Sequence, residues 1–251
     1  MKVTVITAVR NAAATIGATL DSVAAQTLAD VEHIVVDGAS DDGTLEVVRQ
    51  RGARVARVVS EPDHGVYDAY NKGLALATGD VVGFLNAGDV YASPDVLERV
   101  LRELRAPGTR AVFGDVLIVD PADRARVLRH YRSGRFVPSR LAYGISPAHP
   151  TLYMHRDVYR RFGGYDPSYV IAGDFELCVR VFLQGHVRYR YLPEVLVLMT
   201  GGGLSDRGWR GKWQNTKEMR RACTSNGVPT SLLKLSTRLP VKIGEMLWHA
   251  H

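Results

Sequence analysis

The amino-acid sequence predicts an α/β fold with a mostly parallel sheet flanked by helices, on three observations. Short β-branched runs alternate with segments of helical period over residues 3–85, the pattern of a doubly wound sheet. The first run, Val3–Thr7 (VTVIT), carries no charge, as expected of a strand buried on both faces. Each run then ends in a polar cluster: Arg10-Asn11, Asp37-Gly38, Glu61-Pro62-Asp63-His64 and Asn86–Asp89. Ligands of such sheets bind beyond the carboxyl ends of the strands, so these clusters are expected to converge on one edge.

The elements follow in order. Ala12–Gln26 places Ile16, Leu20, Val23 and Ala24 at the spacing of a helix with one buried face. His33–Val36 reads as the second strand, and Ser40–Thr44 supplies turn and capping groups for a helix over Leu45–Arg51. Val55–Val59 is the third strand, Val66–Ala77 a helix, Thr78-Gly79-Asp80 a turn and Val81–Leu85 the fourth strand.

The pattern then changes. Ser93-Pro94-Asp95 caps a helix of about ten residues. Ala111–Asp115 is a strand, and Val116–Asp120 with Arg126–Tyr131 reads as a hairpin-like excursion. Phe136–Pro147 reads as loop, Pro150–Met154 as extended chain and Arg156–Arg161 as a short helix closed by Gly163-Gly164. Ala172–Gln184 is an amphipathic helix, followed by strands at Val187–Tyr191 and Val195–Met199 and a break at Gly201-Gly202-Gly203. From Ser205 the chain is helical and basic.

Composition excludes several classes. Of the 251 residues, 46% are hydrophobic and 23% charged, which places the chain among ordinary globular proteins. Cys178 and Cys223 lack any metal-ligand spacing, which argues against a disulfide framework or structural zinc and for a reducing, cytosolic setting. The N-terminus lacks the length and cleavage pattern of a signal peptide. No stretch approaches the ~18 apolar residues of a membrane span. The net charge of +6 is scattered, with no nucleic-acid recognition motif, and is expected to favour phosphates or acidic lipid over nucleic acid.

Several strand ends carry chemistry with more than one reading. Main-chain groups after Thr7 are placed to meet a flat base or ribose, and Arg10 to pair with phosphate, or Arg10-Asn11 are plain solvated loop. Asp37 before Gly38 suits hydrogen bonds from a base or sugar with close backbone approach, or begins a turn. Neither GxGxxG nor GxxxxGK[ST] is present, so no dinucleotide fold or P-loop is signalled. Asp89 in FLNAGD suits a divalent cation that also grips a diphosphate, or is a turn aspartate. Asp174 in AGDFEL is a helix N-cap or a general base for an acceptor hydroxyl. His149 before Pro150 lines an acceptor pocket or is a satisfied loop residue.

Taken in order, VTVITAVRNAAATIGATLDSVAAQT, VDGASDDGT, EPDHGVYDAYNKGLALATGD, FLNAGD and HPTLYMHRDVYRRFGGYD…AGDFEL resemble the family 2 glycosyltransferases of GT-A fold, across residues 1–205. The resemblance implies a Rossmann-like nucleotide-diphospho-sugar transferase fold and inverting transfer from a UDP- or GDP-sugar to a hydroxyl of a saccharide or lipid-linked acceptor. It implies Mg2+ or Mn2+ at Asp89 and a catalytic base at Asp174. Thr7, Ala8, Val9, Arg10, Asn11, Asp37 and Gly38 fall in the donor pocket, as do Asn71, Lys72, Asn86, Ala87 and Gly88; His149 and Glu176 fall on the acceptor side. Residues 1–92 correspond to a nucleotide-sugar half, 93–205 to an acceptor half, and 206–251 to a basic amphipathic tail suited to an acidic membrane surface or to packing on the domain or a second copy. The expected location is cytoplasmic, with the inner face of the plasma membrane as a peripheral site.

The chain departs from the family at three places: Gly38 and Gly88 stand where many relatives carry a second aspartate, and Gly173 where glutamate is common. A nucleotidyltransferase and a nucleotide-sugar-binding protein without transfer activity are the alternative readings.

Overall fold

The computed structural model describes residues 1–201 and 208–238. Nine strands form one sheet: β1 (Val3–Val9), β2 (Val31–Asp37), β3 (Val55–Ser60), β4 (Val81–Phe84), β5 (Val90–Tyr91), β6 (Ala111–Val119), β7 (Val127–Tyr131), β8 (Tyr153–His155) and β9 (Tyr189–Thr200). Their order is β3-β2-β1-β4-β8-β6-β9-β5, with β7 paired to β6. The first four strands are parallel, in the register Val3↔Val31 and Val3↔Val81. β8 then runs antiparallel to both β4 and β6, β6 and β9 are parallel, and β5 is antiparallel to β9.

The helices are α1 (Ala13–Ala24), α2 (Thr44–Arg51), α3 (Val66–Leu76), α4 (Val96–Leu104), α5 (Arg156–Phe162), α6 (Gly173–Cys178), α7 (Gly208–Ser225) and α8 (Leu232–Ser236). The two-residue alternation of the strands sorts the core. Ile6, Ala8, Ile34 and Val36 pack with Tyr67 and Tyr70 of α3. Val3, Val5 and Leu85 turn the other way, onto Leu97, Val100 and Leu101 of α4. Val9 and Val35 meet Ile16, Leu20 and Val48 of α1 and α2. Each fully buried Leu, Ile or Phe contributes roughly 1.5–3 kcal/mol.

Two expectations change. The strands expected at Val187–Tyr191 and Val195–Met199 are one strand, β9, because Pro193 lies in an irregularity where the pairing with β6 shifts at Asp115. The helix expected over Ala172–Gln184 is α6 followed by a wider π-turn at Val179–Gln184. Helix α7 packs on the domain, one of the alternatives left open for the tail: Ala222 and Cys223 are fully buried in the same cluster as Phe84 and Phe175. The tail residues Lys242, Ile243, Met246, Leu247 and Trp248 lie outside the described residues.

Glu32 ties β2 to the amino ends of β1 and β4. Its carboxylate accepts from Thr4 Oγ1 at 2.6 Å, Thr78 N at 2.7 Å and Lys2 Nζ at 3.2 Å. Burial pushes this carboxyl up, but those hydrogen bonds outweigh it and hold its pKa at about 2. A depressed pKa gives stability that is full above the unfolded value and lost as pH falls through the folded one. Glu32→Gln is therefore expected to cost on the order of 3 kcal/mol at neutral pH, with the deficit closing between about pH 4.5 and pH 2. Urea unfolding of both proteins across that range checks it; a deficit independent of pH refutes the assignment.

Candidate active site

The carboxyl ends of β1 and β2 are knitted together. Asn11, with φ +50°, donates its N–H to Ser40 Oγ at 2.8 Å, and its Oδ1 accepts from Asp41 N at 3.0 Å. Asp42 accepts from Ala13 N at 3.0 Å and Thr44 N at 3.0 Å, so one carboxylate serves the starts of both α1 and α2. Asp37 is fully buried, and its oxygens are engaged by Ser40 N at 3.0 Å, Ser60 Oγ at 2.7 Å and the Ser40 hydroxyl. Thr7 is equally buried; its hydroxyl donates to the Leu85 carbonyl at 2.7 Å and lies 2.9 Å from His33 Nε2. Ala8 and Val9 are core residues, whereas Arg10 is exposed.

The two glycine departures have physical causes. A side chain at Gly38 would overlap the Asp63 carboxylate and crowd Arg10, so Asp63 fills the space a residue-38 side chain would need. Gly88 has φ +98°, a conformation that penalises any L side chain although a Cβ there would make only ordinary contacts with Thr15 and Thr200.

That turn delivers Asp89. The Gly88 N–H donates to Thr19 Oγ1 at 2.9 Å, Thr19 Oγ1 donates to the Asp89 carbonyl at 2.8 Å, and Thr200 Oγ1 donates to the Gly88 carbonyl at 2.7 Å. The Asp89 side chain is only 7% exposed. Among the described residues its carboxylate accepts a single long hydrogen bond, from Thr200 N at 3.3 Å. Burial raises its pKa to about 7, opposed by that bond and by the Arg124 guanidinium, which reaches the Gly88 carbonyl at 3.3 Å. A buried carboxylate this short of donors suits a hard cation, and Mg2+ or Mn2+ is held by one or two carboxylates with phosphate oxygens and water completing the shell. No cluster of three His, Cys, Asp or Glu is present among the described residues. Asp89 therefore fits such a metal only together with a phosphate-bearing ligand.

Tyr70 of α3 joins this corner to the next. Its hydroxyl lies 2.7 Å from Nδ2 and 2.9 Å from Oδ1 of Asn86. Burial raises its pKa, and the charges of Asp174 and Asp89 both add to the shift. Tyr70 therefore senses both carboxylates. His149 stacks on Tyr70 at 5.3 Å and on Phe84 at 5.4 Å, with its Nε2 2.8 Å from the Tyr165 hydroxyl. Burial lowers the His149 pKa against the pull of Asp174, which keeps the ring neutral at pH 7.

Asp174 starts α6, half-buried, with Oδ1 accepting its neighbour's N–H, from Phe175, at 2.8 Å and lying 3.4 Å from the Tyr67 hydroxyl. It opens onto a cleft of about 1260 Å³, together with His149, Ile171 and Phe175. The loop that delivers it is held from α7. Glu218, nearly fully buried, accepts from Ile171 N and Ala172 N at 2.8 Å each and from Val170 N at 3.1 Å. Burial acts to raise the Glu218 pKa, but these main-chain donors prevail and lower it.

Other expected residues have internal duties. Asn71 clamps Tyr165, its Oδ1 accepting from Tyr165 N at 2.8 Å and its Nδ2 donating to Tyr165 O at 2.7 Å. Lys72 pairs with Glu61 at 3.0 Å and Asp68 at 3.5 Å. Glu176 is buried in a two-point pair with Arg180, at 2.7 Å for each contact, and does not line the cleft. Ala87 is half-buried beside Gly88. Sequence reasoning missed Tyr70, Arg124 and Glu218; the only signal was that Tyr67 and Tyr70 put hydroxyls on the apolar face of α3.

Residues 4–162 match the family described as glycosyl transferase family 2. The chain belongs to that family. A PGL/p-HBAD biosynthesis glycosyltransferase of Mycobacterium bovis (strain BCG / Pasteur 1173P2) is 32% identical over 202 residues, covering 78% of this glycosyltransferase and 76% of that one. The solved mannosyltransferase PcManGT from Pyrobaculum calidifontis, in complex with GDP-Man and Mn2+, superposes with a TM-score of 0.66 at 24% identity. That match covers 89% of this glycosyltransferase but 63% of the mannosyltransferase, less than two thirds of its length. S. aureus TarS 1-349 in complex with UDP-GlcNAc also gives 0.66, at 19% identity over 89% of this chain and 66% of that one. The structural likenesses show the GT-A fold. With the family established, the nucleotidyltransferase and binding-protein alternatives fall away.

Two outcomes are expected of this glycosyltransferase. A raised carboxyl pKa gives stability that is full below the unfolded value and lost as pH rises through about 7. Asp89→Asn should therefore match wild type near pH 4 and exceed it at pH 8.5, by at most about 4 kcal/mol, in chemical unfolding. An equal difference at both pH values refutes the buried-charge account. Glu218→Gln should lower stability by about 2 kcal/mol and kcat about tenfold with donor KM unchanged, whereas an unchanged kcat would remove Glu218 from the positioning of Asp174.

Proposed function

We propose that this chain catalyses inverting transfer of a sugar from a UDP- or GDP-sugar to a hydroxyl of a saccharide or glycolipid acceptor, in cytoplasmic polysaccharide or glycolipid assembly. The observation that carries the reading is the contrast between two carboxylates joined through Tyr70 and Tyr67: Asp89 dry after a strand end, Asp174 facing an open cleft. The two environments suit two roles, one negative charge waiting for a cation and one accessible base.

In this reading the donor lies beyond the ends of β1, β2 and β4, with Arg10 toward phosphate and main-chain groups of residues 7–11 and 86–88 along it. Asp89 is the residue that would hold Mg2+ or Mn2+, which when bound would supply positive charge for the leaving group. The mannosyltransferase solved with GDP-Man and Mn2+ supports that choice of cation. Asp174 accepts the proton of the acceptor hydroxyl while its oxygen bonds to the anomeric carbon. The bond to the nucleoside diphosphate breaks on the opposite face, so the configuration inverts, and Arg124 beside Asp89 adds charge for the departing phosphate. Neutral His149, held by Tyr165 and stacked on Tyr70, borders the acceptor and accepts or donates one hydrogen bond without competing for the proton.

Asp174→Asn should lower transfer at least a thousandfold while donor binding stays near wild type, and Asp89→Ala should weaken Mn2+-dependent donor binding. Both are measured by sugar-nucleotide turnover and calorimetry over UDP- and GDP-sugars. Near-normal transfer by Asp174→Asn, or full donor binding with EDTA present, would overturn the respective assignment.

A further inference from the structure

The cleft at Asp174 is far larger than one sugar ring requires. At about 1260 Å³ it exceeds the 300–1,000 Å³ of a typical small-molecule site. One wall comes from the sheet, through Val116, Ile118 and Met199. The facing wall comes from α7 and α8, through Trp209, Trp213, Met219, Leu232, Leu233 and Leu235. Among the described lining residues Asp174 is the single carboxylate.

Leu235 is fully buried and Met219 packs on the core, but the other apolar residues of this wall are bare. Trp209 is 73%, Trp213 47% and Leu233 79% exposed, so the largest bare side chains of these two helices stand around one opening. Concentrated apolar surface of this kind marks a binding site, whereas single exposed apolar residues carry no such meaning. The surface is also continuous with Asp174 and His149, which share the cleft, so its occupant reaches the reacting hydroxyl directly. Ser146, Asn215, Thr216 and Ser236 add hydrogen-bonding groups to the lining, enough for a polar head beside the apolar surface.

We infer that the acceptor is amphipathic: its hydroxyl-bearing head sits at Asp174 and its hydrocarbon or aryl body lies between the sheet and the α7–α8 wall. The inference rests on the assignment of Asp174 to the acceptor side and narrows the acceptor to molecules with a substantial apolar portion. The cations Arg132, Arg135 and Lys212 on the lining make the cleft positive, which disfavours cationic amphiphiles.

The test is calorimetric titration of the full chain with methyl, hexyl and octyl β-glucosides below their micellar concentrations, without donor. Burial of each methylene is worth about 0.8 kcal/mol at full desolvation, or some three- to fourfold in affinity. Octyl glucoside is expected to bind at least tenfold more tightly than methyl glucoside, and the Trp209→Ala/Trp213→Ala double variant to lose most of that gain. Equal affinity across the series, or an octyl gain undiminished in the double variant, overturns the inference. Turnover of UDP- and GDP-sugars by the wild type separates the two levels. Transfer to methyl glucoside as efficient as to octyl glucoside would leave the glycosyltransferase reading intact and sink the amphipathic acceptor. Chain-length-dependent binding with transfer to no glucoside and no loss in the Asp174→Asn variant would sink the placement of the acceptor head.

Discussion

The block of aromatic rings between Asp89 and Asp174 is seated by one side-chain amide. Asn71, on the helix after β3, engages both the N–H and the carbonyl of Tyr165, on the loop before α6. That clamp seats the Tyr165 ring against Tyr67 and Tyr70 and brings its hydroxyl to His149. Asn86 and Asp89 are reached through Tyr70, and Asp174 through Tyr67, so the spacing of the carboxylates depends on how these rings pack. Aromatic rings suit the task because they fill volume rigidly while their hydroxyls still find partners.

Across that block the two carboxylates sit in contrasting media. Asp89 is withdrawn from water and nearly without donors, which makes its charge costly. Asp174 stays half open, near Tyr67 and on the cleft. Desolvation at one site and access at the other are set by backbone: the turn at Gly88 and the start of α6.

The parallel half of the fold was legible in the sequence because each strand from Val3 to Leu85 pairs β-branched residues with a polar end, and each helix between carries an apolar stripe. The antiparallel half was harder. β5 is two residues long, too short for any period, and Pro193 divides in sequence what β9 joins in space. At the site, Asp89 and Asp174 carried turn and N-cap readings as well, and it was the resemblance to the family that singled them out. Asn71 and Glu176 were also named, yet their polar groups turn inward to Tyr165 and Arg180, a distinction of side-chain direction that spacing does not carry. Glu218 went unnoticed because its partners lie at residues 170–172, joined to it only by folding.

Helix α7 presents tryptophans to the cleft on one side and Glu218 to the Asp174 loop on another. The proposed acceptor surface and the anchor of the Asp174 loop thus share a single helix. Exchanging this helix for that of a relative, as a route to new acceptors, would replace that anchor in the same cut. Chimeras in this family are then best built residue by residue along the exposed face, and natural divergence in acceptor choice should leave the position of Glu218 alone while the tryptophan positions vary.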